Sequence, residues 1–112
     1  MKKIKIVLIL ISISFFASCD SSTYQDLSPV VSNPTYTLNV QPVIATSCTR
    51  CHSGGSQYPN LETYDQVVDA TKNGNLLCRI NGACGEIMPT SGKLPQATID
   101  MIQLWSTNNY PN

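Results

Sequence analysis

Charge is scarce in this sequence, and what is missing narrows the field. The 112 residues carry only seven basic and seven acidic side chains and a single histidine. Lys2, Lys3 and Lys5 crowd the beginning; beyond residue 18, Arg50, Lys72, Arg79 and Lys93 stand against Asp20, Asp26, Glu62, Asp65, Asp69, Glu86 and Asp100, four positive against seven negative for a net charge near −3. No basic stripe is left to follow a phosphate backbone, which excludes nucleic acid as a partner. Sustained two-residue alternation with β-branched enrichment is absent too, so the sequence predicts an all-α domain with extended loops. Nor is there an apolar run of the roughly 20 residues that a membrane-spanning helix needs. Ile6 to Phe16, broken only by Ser12 and Ser14, is shorter and ends ahead of Asp20.

A positive head, a short apolar core and the small residues Ala17-Ser18 make that segment an export signal. Phe16-Ala17-Ser18-Cys19 resembles the bacterial lipobox, which implies that Cys19 becomes the diacylated first residue of the mature protein. The organisation expected is a lipoprotein signal peptide over 1–18, an acylated N-terminus and flexible tether over 19–36, and one small domain over 37–112. The expected location is the periplasm-facing or outer surface of a bacterial membrane. The simpler alternative is ordinary secretion, with Cys19 a spare thiol.

Cys48-Thr49-Arg50-Cys51-His52 is the most specific motif. A C-x-x-C-H run is what covalent attachment of a c-type haem requires: two thiols three positions apart add to the porphyrin vinyl groups, and the adjacent imidazole binds iron. Two other readings stay open. The pair could be a thioredoxin-like dithiol, although no strand precedes Cys48. It could be half of a zinc site closed by Cys78 and Cys84. In an exported protein those last two cysteines have a simpler role, a local disulfide pinching the loop between them.

Leu38, Val40, Val43 and Ile44 predict a short helix over about 40–48, with Pro42 tolerated in its first turn. Tyr64, Val67 and Val68 predict a second helix from Leu61 or Glu62 to Thr71, stopped by Asn73-Gly74-Asn75. Leu76, Leu77 and Ile80 make a helical turn ending near Asn81-Gly82. Ile99, Ile102 and Trp105, with Met101 and Leu104, give a helix over 96–107 that starts after Leu94-Pro95 without a side-chain cap.

Met88, 36 residues after His52 and followed by Pro89, is the candidate for the second axial position on a haem iron. Met101 competes, but its place on an apolar helical face suits packing. With these parts in order the sequence resembles a small class I cytochrome c: Val40-Gln41-Pro42-Val43, Cys48 to His52 with Gly54, Leu61-Glu62-Thr63-Tyr64, Met88-Pro89 with Gly92-Lys93-Leu94, and Ile99 to Trp105, spanning residues 38–109. The resemblance implies a compact domain of three or more short helices around one covalent haem c, held by Cys48, Cys51, His52 and Met88, with iron on His52 and Met88 and with Leu61, Tyr64, Pro89 and Trp105 packing the pocket. It implies a one-electron carrier, not an enzyme, partnered by a quinol-oxidising complex, a terminal oxidase or a dehydrogenase. The rivals are a haem peroxidase or gas sensor with a displaceable Met88, and a zinc-binding structural lipoprotein. His52 is expected to donate its second ring N–H to a carbonyl in the following loop, with Pro59 nearby.

Overall fold

The computed structural model describes residues 30–112. The expected signal peptide over 1–18, the expected acylation site Cys19 and most of the expected tether lie outside the described residues. Within them, no helix is long and apolar enough to cross a membrane.

The first element among the described residues is a π-helical turn, Tyr36–Val40, which runs directly into α1, Gln41–Ser47. Thr35 caps the turn with its side-chain oxygen, and Pro42 falls in the first turn of α1, where its missing N–H costs nothing. Next is α2, Tyr64–Lys72, which begins later than apolar spacing alone predicts. Thr63 and Gln66 form a reciprocal capping box that satisfies the free N–H groups at the start, and Asp65 and Lys72 sit at the helix ends their charges favour. A third helix, α3, Leu76–Asn81, ends at Gly82 in the left-handed conformation. The last helix, α4, Gln96–Thr107, matches the range its apolar face predicts and has no side-chain cap on Pro95.

The helices bury one apolar cluster: Tyr36, Val40, Ile44, Leu61, Val67, Ala70, Ile80, Ile99, Ile102 and Trp105. Trp105 is wholly buried at its centre. Its indole is flanked by Tyr36 at 6.0 Å, Tyr64 at 6.5 Å and Tyr110 at 5.1 Å between ring centroids, the last two edge-on, an arrangement that aromatic quadrupoles favour. Two of the polar tips find backbone partners: Trp105 Nε1–H donates to the Pro111 carbonyl (2.9 Å) and the Tyr64 hydroxyl donates to the Tyr110 carbonyl (2.6 Å). Asn109 and Tyr110 both take positive φ, folding the segment after α4 back over the tryptophan.

This arrangement corrects the expected fold class in one respect. The all-α domain is present, with four short α-helices among the described residues. A class I cytochrome c-like domain would place a porphyrin at the centre to supply missing hydrophobic volume. Here the centre is filled by protein side chains, several with no exposed surface at all. Tyr36, placed by the sequence at the end of the tether, belongs to that core.

Stability should track these two levels of organisation. Ile99→Ala, which empties a fully buried position, is expected to cost about 3 kcal/mol. Thr63→Ala, which removes half of the capping box on α2, is expected to cost about 1 kcal/mol. Urea unfolding of the two variants checks the order, and a larger loss for the cap would contradict this account of the core.

Candidate functional site

A cleft of about 980 Å³ opens beside the core. One side is the turn that leaves α1. Cys48 is the C-cap of that helix, and its carbonyl accepts from the N–H groups of Cys51 (3.1 Å) and His52 (2.9 Å), winding the pentad into a tight turn. All three chemically distinctive side chains of that turn, Cys48, Cys51 and His52, line the cleft. The floor includes Leu61, Ala70, Leu76 and Ile80, and the far side carries Arg79, Glu86, Met88 and Pro89. Segments 36 residues apart thus supply two thiols, an imidazole and a thioether to one space.

The imidazole is fixed by the loop that follows it. His52 Nδ1 lies 2.9 Å from the Pro59 carbonyl. A carbonyl only accepts, so Nδ1 carries the proton and, in the neutral ring, Nε2 is left as an acceptor. The loop is closed by Leu61 N–H donating to the His52 carbonyl (2.8 Å), and is tied further by Gly55 N–H to Asn60 Oδ1 (3.1 Å). Gly54 and Gly55 both adopt positive φ, and a Cβ at either would meet nothing within 4 Å. Their value among the protein's own atoms is the backbone turn itself.

The two thiols differ. Cys51 is exposed, whereas burial pushes the Cys48 thiol from an ordinary value of 9.0 up to about 11. Neither is in a disulfide; Cys78 and Cys84 are bonded to each other across Cα atoms 5.5 Å apart, as the short spacing predicts. Met101 packs against the core from α4. Of the four residues expected to pack a ligand pocket, Leu61 and Pro89 line the cleft, while Tyr64 and Trp105 belong to the aromatic cluster. Sequence reasoning gave Arg79 no definite place. It lines the cleft and donates from Nη1 to the Glu86 carbonyl at 3.0 Å, a contact with no signature in residue spacing.

No family model matches this chain, and neither a curated protein nor a solved structure is similar to it. The class I cytochrome c resemblance over residues 38–109 is therefore carried by the order of short motifs alone, and the assignment is corrected. The findings support a small all-α domain with an internal Cys78–Cys84 disulfide. Covalent haem c is withdrawn with the family. Among the described residues no group of three or more His, Cys, Asp or Glu side chains is placed to hold a metal ion. An iron centre on His52 and Met88, one-electron transfer through it, and the peroxidase or gas-sensor variants needing the same iron are not retained. The zinc alternative fails on covalent grounds, because two of its four thiols are consumed by the disulfide. The thioredoxin-like alternative fails on position: Cys48 ends a helix, where no helix N-terminus can lower its pKa.

In protein carrying both thiols free, iodoacetamide should label Cys51 at about pH 8 at least about tenfold faster than Cys48, read by peptide mass spectrometry. Folded Cys48 holds its proton more tightly than the unfolded chain does. Its stabilising contribution is therefore complete below the ordinary thiol value of 9.0 and is lost as pH rises toward about 11. The urea midpoint of the parent should fall across that window relative to Cys48→Ala, and parallel pH profiles would count against the buried thiol.

Proposed function

We propose that this chain is an exported, lipid-tethered binding module, in which acylated Cys19 and the segment to residue 36 hold a small helical domain at a membrane surface and the cleft captures a small organic molecule. The observation that carries the reading is the convergence of Cys48, Cys51, His52 and Met88 on one cleft. Its volume, about 980 Å³, lies at the upper end of the ~300–1,000 Å³ typical of small-molecule pockets. Apolar groups on the floor (Leu61, Ala70, Leu76, Ile80) with polar groups at the edge (Asn73, Asn75, Arg79) suit a ligand with an apolar body and a polar or anionic substituent. The imidazole Nε2 and the polarizable sulfurs offer acceptor and dispersion contacts to that body.

Binding is favoured over catalysis by the state of the groups present. The sole histidine has one nitrogen committed to Pro59, and the Cys48 thiol is protonated at neutral pH, which makes it a poor nucleophile. The membrane is the partner implied by the lipobox-like segment, and the acidic balance beyond residue 18 supports no polyanionic ligand.

Mature protein purified after export should carry a non-peptide ligand held by contacts, seen as a mass excess over the acylated chain in native spectra and absent from denaturing spectra. Met88→Ala is expected to weaken its retention at least about tenfold, a loss of roughly 1.4 kcal/mol. A chain whose mass never exceeds peptide plus lipid, and whose cleft resonances no small-molecule library shifts, would end this reading.

A further inference from the structure

We propose that the Cys78–Cys84 disulfide is a redox-sensitive strap that holds the Met88–Pro89 wall of the cleft against α3. Every polar link from α3 to that wall starts at two adjacent residues. Cys78 is bonded to Cys84, and its carbonyl accepts from Ala83 N–H (2.9 Å). Arg79 donates from Nη1 to the Glu86 carbonyl (3.0 Å), and its own carbonyl accepts from Met88 N–H (3.2 Å). Gly85 makes this packing possible: at φ +68 it lies so close to Arg79 that a Cβ would come within 2.7 Å of Nη1.

Burial does little to hold the same segment. Between Gly82 and Pro95 no residue belongs to the buried core, and Leu94 alone packs against it as a partly buried side chain. Three hydrogen bonds between exposed or half-buried residues and one covalent bridge therefore keep Met88 at the cleft, and the bridge is the only one that water cannot replace. Both sulfurs belong to half-buried residues within reach of a small reductant. A dithiol reductant attacks one sulfur as its thiolate and forms a mixed disulfide; its second thiol resolves that bond. The reductant leaves as its own disulfide, and the electron pair, with two protons, leaves Cys78 and Cys84 as thiols. The freed segment then opens locally while the aromatic core keeps the helices together.

The effect on ligand retention rests on the proposed binding function, but the motion of the wall does not. Hydrogen–deuterium exchange on the full chain tests it directly, in the oxidised protein, after dithiothreitol treatment with reduction confirmed by alkylation of both cysteines, and in Cys78→Ser/Cys84→Ser. Amides from Ala83 to Met88 should exchange at least about tenfold faster in the reduced protein and in the variant, with those of α4 unchanged. Unchanged exchange over 83–88 after confirmed reduction would overturn the strap. An equal rise across α4 would also overturn it, because the bridge would then support the whole domain. Faster exchange at 83–88 in a protein that binds no ligand would leave the strap standing and remove the proposed function.

Discussion

The burial of Trp105 is the constraint on which the rest of this domain depends. Few charged residues and short helices give the chain little to fold around, and a small domain of this size is marginal on apolar area alone. One indole, wholly buried among three tyrosines, concentrates much of the available burial at a single point. Its position also settles where other elements go. Tyr36 brings the π-helical turn and α1 to it, Tyr64 brings the start of α2, and Tyr110 brings the chain that leaves α4. The helices are too short to define an angle by their own ridges, so the aromatic contacts set their placement.

The cleft is a by-product of that placement. Once the π-helical turn is fixed at Tyr36 and Val40, α1, which continues from it, delivers Cys48, Cys51 and His52 to the cleft. The other wall is not fixed in the same way. It hangs from the two middle residues of a six-residue helix, through a disulfide and a few hydrogen bonds, with almost no buried surface of its own. One wall thus inherits the rigidity of the core and the other has only local support. That difference in stability between two sides of one space follows from where the apolar residues sit in the sequence.

Much of the secondary structure was legible because helix faces leave a periodic trace. Ile99, Ile102 and Trp105 located α4 to the residue, and Asn81-Gly82 marked the end of α3. The start of α2 was misplaced by two or three residues because the capping box at Thr63 and Gln66 is a polar signal that apolar spacing ignores. Tyr36, a core residue, and Tyr110, half-buried against the core, leave no such trace, because each belongs to a segment too short to show any period. The site was legible in part. The turn bearing Cys48, Cys51 and His52, the Pro59 contact and the Cys78–Cys84 bond are local, and local chemistry can be read from spacing. The family was not. The ordered short motifs resemble a family that no matching family model, curated protein or solved structure supports, and the centre of the domain is filled by tryptophan and isoleucine.

Tyr36 N–H donates to the Pro111 carbonyl at 2.7 Å, so the two extremities of the folded part are neighbours. Anything appended after Asn112 therefore emerges beside Tyr36, where the chain enters the helical domain. A fluorophore joined there shares the surroundings of that entry point.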